Sequence, residues 1–379
     1  MASKPLKLKP VREQVIVITG ATSGIGLSTA RAAAAQGAKL MLAARNADAL
    51  KAVCEDLTAK GAQVDCIATD VGNEAQMRAL ADEAIARFGG FDTWVNNAGV
   101  SIFGAITETP VEDQRRLFET NYWGVVYGSL IAADHFKSRP GGGALINIGS
   151  VLSDMAVPQQ GAYSASKHAV KGFTNALRME LMAQHAPVSV TLIKPSAVDT
   201  PSKDHARNLT GAAVRNAPPV YATPLVAQAI LYAAEHRVRE MSVGAGGPFL
   251  AALGVLAPLI AEPLLAWTVP TLNRDRKGRR RSLDDNLHHA GQDLRERSFY
   301  GHVHEHSLYS TAQMRPKATF SLAVLAGVLA GAAVTLSGSR RRSRSAADAL
   351  EHQPPVTMTP RQALAAKLGL NGLGARAAP

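Results

Sequence analysis

Eight residues near the start of the chain, Thr19-Gly20-Ala21-Thr22-Ser23-Gly24-Ile25-Gly26, restrict its fold more than any others. They follow a short β-branched run, Val15–Thr19, and lead into a stretch of helical character, Ile25–Gln36. Side chains at the three glycines would keep a ligand from reaching the backbone of so sharp a turn. The helix that follows presents unpaired N–H groups and a partial positive charge at its start, which are the requirements of a pyrophosphate site. A strand, a glycine turn and a helix in this order predict the opening unit of a nucleotide-binding α/β domain.

The next two hundred residues repeat that alternation. Lys39–Ala44, Val64–Ala68, Thr93–Asn96, Ala144–Ile148, Ser189–Lys194 and Met241–Val243 read as further strands. Most are continuous apolar runs, the pattern of strands covered on both faces. Helical segments are expected at Asp48–Lys60, Glu74–Phe88, Pro110–Ala133, Tyr163–Gln184 and Pro224–His236. Asn46 is placed to cap the second helix and Gly61 follows its end. Thr109, Pro110 and Glu112 suggest an N-cap, a proline at the first helical position and a capping-box acid. The fold class predicted is α/β, a doubly wound parallel seven-stranded (Rossmann-type) sheet with helices on both faces. Residues 1–247 form this domain, residues 248–344 a basic, apolar and helical extension, and residues 345–379 a weakly ordered tail.

Composition narrows the class further. A 46% hydrophobic fraction excludes a wholly disordered chain. Two cysteines, Cys54 and Cys66, exclude a disulfide scaffold and a cysteine-ligated zinc site, and fit a reducing compartment. Lys4, Lys7 and Lys9 interrupt the N-terminus where a secretory signal would be apolar, so a cytoplasmic location is expected. The net charge of +11 is unevenly spread: residues 1–272 carry 24 Lys and Arg against 22 Asp and Glu, while residues 273–344 carry 14 against 6. The basicity therefore belongs to the extension and says little about a substrate.

Four more elements follow the glycine turn in a telling order: Asn96-Asn97-Ala98-Gly99, Asn121, Ser150 and Tyr163-x-x-x-Lys167. With the Gly-x-x-x-Gly-x-Gly spacing they resemble the classical short-chain dehydrogenases/reductases over roughly residues 10–245. The resemblance implies that Tyr163 is the general acid in reduction and the general base in oxidation, with Ser150 stabilising the substrate oxygen. It further implies that Lys167 holds the nicotinamide ribose and that Asn121 anchors a water leading to the lysine. Tyr163 and Lys167, four apart on a helix, project from one face. The lysine ammonium and the positive nicotinamide of the oxidised cofactor are both expected to lower the pKa of a phenol that is ordinarily a poor proton shuttle at neutral pH. The same resemblance makes Gly20, Thr22, Ser23, Gly24, Ile25, Gly26, Val71, Asn97, Ala98, Gly99, Pro195 and Thr200 cofactor contacts. Asn97 would brace the central sheet and Thr200 would touch the nicotinamide carboxamide. Asp70 matches an adenine-binding position, although an acid at a strand end is equally a turn former. One departure stands out: Ser196 follows Pro195 where the family usually has glycine, which costs backbone freedom if that position needs positive φ. The stretch Pro201–Val220 would be the substrate lid.

Cofactor choice follows from charge. Relatives that prefer NAD end the second strand with an acid that binds both ribose hydroxyls and repels a 2′-phosphate. Here Ala44 stands in that place and Arg45 offers a fork for a phosphate, so NADP(H) is expected over NAD(H).

The extension points to a surface. Pro248–Pro270 is apolar but broken by Pro258 and Pro263, Asn273–Arg281 is arginine-rich, Thr319–Leu336 has no charge, and Arg340–Arg344 holds four arginines in five residues. A single membrane pass would break the positive-inside rule, whereas in-plane attachment to the anionic cytoplasmic face of a membrane satisfies it. A buried helix in an oligomer is the competing reading. Without aromatic interleaving or a reading motif, nucleic acid ranks below both. His302, His304 and His306 alternate but have no acid or cysteine to complete a metal shell. The expected activity interconverts a small-molecule carbonyl and a secondary alcohol, in a homo-oligomer. The competing function is a membrane-recruited NADP(H)-binding module without turnover, which would have no use for the serine, tyrosine and lysine.

Overall fold

The computed structural model describes residues 6–274, 285–291, 294–298 and 302–315, with isolated positions 319, 360, 364 and 367 beyond them. Met1–Arg315 form one compact unit and Pro316–Pro379 a second. Apart from those isolated positions, Thr319–Leu336, Arg340–Arg344 and the tail 345–379 lie outside the described residues, as does most of Asn273–Arg281.

Seven strands build one parallel sheet: β1 (Val15–Thr19), β2 (Lys39–Ala44), β3 (Val64–Ala68), β4 (Thr93–Asn96), β5 (Gly143–Ile148), β6 (Val188–Pro195) and β7 (Glu240–Val243). Their spatial order is β3-β2-β1-β4-β5-β6-β7. Pairing runs in register from Val15 opposite Lys39 to Thr19 opposite Ala43, and from Ile16 opposite Thr93 to Ile18 opposite Val95. The order therefore reverses between β1 and β4, and a doubly wound sheet opens a crevice at the carboxyl ends of the strands flanking such a reversal.

Helices α1 (Gly24–Ala35), α2 (Ala47–Ala59), α3 (Glu74–Phe88), α4 (Val111–Phe118), α5 (Gly124–Ser138), α6 (Gly161–Ala183) and α7 (Thr223–Glu235) cover the sheet. Alternate residues of the same strands feed two cores. Ile16, Ile18, Leu40 and Leu42 pack with Leu27, Leu50, Leu57 and Ile230 from α1, α2 and α7. Val17, Met41 and Trp94 pack on the other side with Leu80, Phe136 and Leu181 from α3, α5 and α6. Both faces are dry, which is why these strands read as unbroken apolar runs rather than as an alternation.

Two local expectations are corrected. The helix expected over Pro110–Ala133 is interrupted by a π-helical turn, Glu119–Trp123, which separates α4 from α5 and contains Asn121. Thr109 does not cap α4: its hydroxyl donates to the Ala105 carbonyl at 2.9 Å, and Pro110 occupies the N-cap position without a side-chain bond. Asn46 does cap α2, accepting from Ala49 N at 2.9 Å.

Beyond β7 come α8 (Gly246–Leu256) and α9 (Pro258–Leu272), broken at Ala257, and later α10 (Leu308–Met314). Leu265 and Val269 of α9 pack on Leu152, Met155 and Val157. No helix among the described residues is long and apolar enough to cross a membrane.

Candidate active site

The glycine turn is held by contacts a side chain would destroy. Gly20 has φ +67°, and a Cβ there would sit 2.8 Å from Cα of Ala98. At Gly26 it would sit 2.1 Å from the Gly20 carbonyl oxygen, so α1 can start this close to β1 only with hydrogen at that position. Asn97 ties the carboxyl ends of β1 and β4 together: its Nδ2 donates to Thr19 O at 2.8 Å, and its backbone N–H to Thr19 Oγ1 at 3.0 Å.

These ends open into a cleft of about 630 Å³. Of the residues expected at the site, Gly20, Thr22, Ser23, Gly24, Ile25, Arg45, Val71, Asn97, Ala98, Gly99, Ser150, Tyr163, Lys167, Pro195 and Thr200 line it. Three do not. Gly26 lies behind the turn. Asp70 faces Arg116, whose Nη2 lies 2.5 Å from its Oδ2, and its other oxygen accepts from Gly72 N at 3.0 Å. The acid is thus closing a turn, one of the two roles open to it from sequence. Asn121 is fully buried, its Oδ1 accepting from Val100 N at 2.8 Å and its Nδ2 donating to Val100 O at 3.0 Å and to Ser166 Oγ at 3.2 Å.

Ser150, Tyr163 and Lys167 meet at the floor of the cleft. Ser150 follows β5 and caps a short 3-10 turn, Val151–Ser153, accepting from Leu152 N at 3.1 Å while Ser153 Oγ accepts from its own N–H at 3.1 Å. This reciprocal pair fixes the serine hydroxyl at the end of the strand. Tyr163 and Lys167 are one turn apart on α6. Lys167 is 4% exposed and its Nζ donates to Ile148 O at 2.8 Å. Burial holds its pKa down to about 8.

Beside Lys167 alone, the Tyr163 pKa is not lowered. The phenol is pushed above its ordinary value by burial, and the Ser150 hydroxyl is the neighbour that pulls it back. The surroundings of the ring, assembled from distant segments, set that direction, and the Lys167 ammonium gives its hydrogen bond to the Ile148 carbonyl. The cost foreseen at Ser196 is absent too. Among the described residues only Gln159 and His185 are non-glycines with positive φ, and Ser196 Oγ accepts from Gly247 N at 3.2 Å, joining the loop after β6 to α8.

Lys203 also lines the cleft, and nothing in the sequence reading singled it out. Its Nζ stands 4.6 Å from the centre of the Phe103 ring and donates to Arg215 O at 2.6 Å, and burial lowers its pKa to about 7. Its position three residues after Thr200, in the stretch expected as the substrate lid, was the signal available in the sequence. The lid itself carries a two-residue strand, Arg207–Asn208, paired with Ile102–Phe103. Phe249, Leu250 and Val269 add an apolar wall from α8 and α9. Among the described residues no group of three His, Cys, Asp or Glu side chains is placed to hold a metal. His304 instead lies beside Tyr221, with its backbone N–H on Val220 O at 2.8 Å.

Comparison with known proteins agrees with this geometry. The family model described as short chain dehydrogenase matches residues 14–209. The oxidoreductase YxnA of Bacillus subtilis is 43% identical over 330 residues, 86% of this chain and 92% of that one. The dehydrogenase/reductase SDR family member 7B of Xenopus tropicalis is 33% identical over 268 residues, 68% of this chain and 85% of that one. Among solved structures, a short chain dehydrogenase/reductase from Burkholderia phymatum in complex with NAD superposes with a TM-score of 0.61 at 28% identity, covering 69% of this chain and 97% of that chain. An alcohol dehydrogenase from Thermococcus sibiricus complexed with 5-hydroxy-NADP gives 0.53 at 27% identity, over 60% of this chain and 95% of that chain. With the family model matched over more than half its length and a relative this similar from end to end, the chain belongs to the short-chain dehydrogenase/reductase family of oxidoreductases.

Proposed function

We propose that this protein is an NADP(H)-dependent oxidoreductase that interconverts a carbonyl and a secondary alcohol. One observation carries the reading: Ser150, Tyr163 and Lys167 line the same cleft as the glycine turn. The cleft suits a dinucleotide, because Gly20 and Gly26 let the turn and β1 pack closely enough for α1 to start at the cleft's edge. Gly20, Thr22, Ser23, Gly24 and Ile25 would hold the pyrophosphate, Lys167 the nicotinamide ribose, Thr200 the carboxamide and Arg45 the 2′-phosphate. The bound dinucleotide supplies the hydride that adds to the carbonyl carbon. A Tyr163 phenol kept protonated by burial suits proton donation to the carbonyl oxygen as negative charge builds there. Ser150, fixed by its turn, donates to the same oxygen. In the opposite direction Tyr163 receives the proton. Consumption of NADPH absorbance across a panel of ketones and aldehydes tests the reading; a panel that leaves NADPH untouched sinks turnover and favours the cofactor-binding module.

A specific observation favours attachment to the cytoplasmic, anionic face of a membrane through the extension, 248–344. Phe249, Leu256, Leu259, Ile260 and Trp267 on α8 and α9 are each at least two-thirds exposed. The sequence just after α9 is basic, from Arg274 to Arg281. Apolar side chains with a tryptophan beside a run of cations match an in-plane lipid contact. Sedimentation with anionic but not zwitterionic vesicles, reversed by salt, is the expected result. A homo-oligomer is supported by Trp123 at the end of the π-turn, Leu130 on α5 and Met179 and Met182 on α6, all exposed.

A further inference from the structure

Residues 285–291 and 294–298, after the basic loop, bind several of the groups that line the cleft. Arg45 donates through Nη1 to Leu287 O at 3.2 Å and through Nη2 to Asn286 O. Asn46 Nδ2 donates to Gly291 O at 3.0 Å, and Gly24 N, in the first turn of α1, donates to Arg295 O at 3.0 Å. Ser298 then binds beyond β6, its N–H donating to Asp199 Oδ1 at 3.0 Å and its hydroxyl to Thr200 O at 2.6 Å. From residue 286 to residue 298 the strap thus visits the end of β2, the start of α1 and the loop after β6. A dinucleotide would meet the same places from its adenosine end to its nicotinamide end.

Two of these contacts use donors that phosphates require. The Gly24 N–H is one of the unpaired amides of a helix start, and Arg45 is the cation offered to a 2′-phosphate. Both are turned to neutral backbone carbonyls of the strap. A phosphate oxygen makes a charge-assisted bond to the same donors, roughly twice as strong as a neutral one, and so can replace the carbonyls. The strap's own hold lies outside the cleft. Leu287 is 1% exposed in a cluster with Ile102 and Leu117. Asp285 pairs with Arg207 at 3.1 Å, His288 with Asp113 at 2.8 Å and Glu296 with Arg31 at 2.5 Å.

We infer that the strap formed by residues 285–291 and 294–298 gates the dinucleotide cleft. Its carbonyls hold Gly24 N–H and Arg45, and a dinucleotide seats its phosphates only as the strap releases them. The inference rests on the NADP(H) reading given above. It extends the site to residues far beyond the 14–209 matched by the family model. The match to YxnA, spanning 86% of this chain, is long enough that it has to run through the strap.

Stopped-flow NADPH fluorescence and hydrogen exchange on the full chain test the gate. The observed association rate should saturate with NADPH concentration, because opening becomes limiting. Asp285→Ala combined with Glu296→Ala should raise that plateau by roughly three- to tenfold, the range that two partly exposed ion pairs command. In the unaltered chain, saturating NADPH should speed exchange in peptides covering 285–291 and 294–298. Exchange that slows or stays the same on binding overturns the gate, as does an unchanged plateau in a double variant that melts cooperatively. A chain that binds neither NADPH nor NADH overturns instead the cofactor reading beneath it.

Discussion

Lys167 Nζ stands 5.8 Å from the centre of the Tyr163 ring and gives its hydrogen bond to the Ile148 carbonyl, at 2.8 Å. The helix places the two side chains on one face, and the end of β5 then fixes the amine beside the phenol rather than bonded to it. The ammonium is an oriented charge in a dry site, where its influence on a nearby anion exceeds what it would be in water. Tyr163 is left with Ser150 as its hydrogen-bonding neighbour.

Replacing Tyr163 by Phe would remove the proposed proton donor and little else, since the ring packs against the cluster of Leu152, Val157 and Leu265. Tyr163→Phe should reduce turnover by at least 10²-fold, the lower range of general acid catalysis. NADPH affinity, measured by isothermal titration, should change little. Retained turnover would remove Tyr163 from the reaction.

Lys167 makes folding depend on pH in a defined direction. Its ordinary pKa of 10.5 falls to about 8 in the folded chain, so the unfolded chain binds the extra proton between those values. Stability should therefore rise as pH increases from about 8 to 10.5, and the burial penalty is fully felt below 8. Relative to Lys167→Met, the unaltered chain should gain about 3 kcal/mol across that window. Urea denaturation of both proteins at several pH values gives the difference, in which other titrating groups cancel. A flat difference would mean that the amine titrates near its ordinary value.

The inner strands were legible because they are covered on both faces, so burial wrote itself into the sequence as apolar runs, while the edge strands β3 and β7, half-buried in part, were read from their β-branched residues and their place in the alternation. The first four, from Val15–Thr19 to Thr93–Asn96, have the expected ends, since glycines, Asn46 and Asn73 punctuate them. The π-turn at Glu119–Trp123 was not legible: Thr120, Asn121, Tyr122 and Trp123 are weak helix formers but no local pattern marks an extra residue per turn, and Asn121 is held there by bonding Val100 across the fold. The residue types at the site were readable from spacing, but the direction of the Tyr163 shift was not. Burial of a phenol is a property of packing between distant segments. The strap carried no local signal either, because backbone carbonyls make its cleft contacts at Arg45, Asn46 and Gly24, and any residue supplies a carbonyl.

On the NADP(H) reading, Arg45 would separate the two nicotinamide cofactors by charge. Its guanidinium is partly buried, with desolvation and the neighbouring Arg116 both lowering its pKa, yet an arginine so far above neutrality stays charged. Arg45→Ala should weaken NADPH binding by roughly ten- to hundredfold, as expected for loss of a hydrogen bond to a charged group, and NADH binding much less. Paired titrations with the two cofactors measure the ratio. An equal loss for both would leave the 2′-phosphate without a partner in Arg45.

Gly26 supports the site without lining it. A methyl group there would meet the Gly20 carbonyl oxygen at 2.1 Å and Nδ2 of Asn97 at 2.6 Å. Neither neighbour can yield cheaply: the first is backbone in a turn with positive φ, and the second already binds Thr19 O and Gly20 O. Relief has to come from moving the start of α1 away from β1, which displaces Gly24 and Ile25 from the cleft. Gly26→Ala should therefore destabilise the fold by about 1–3 kcal/mol, the usual range for overpacking. It should also abolish NADPH binding at temperatures where the variant remains folded. Gly172, where a Cβ would meet nothing within 4 Å, is the matched control for the loss of a glycine in a helix, and Gly172→Ala should bind normally. Normal binding by Gly26→Ala would mean that the glycine turn does not set the position of the helix start.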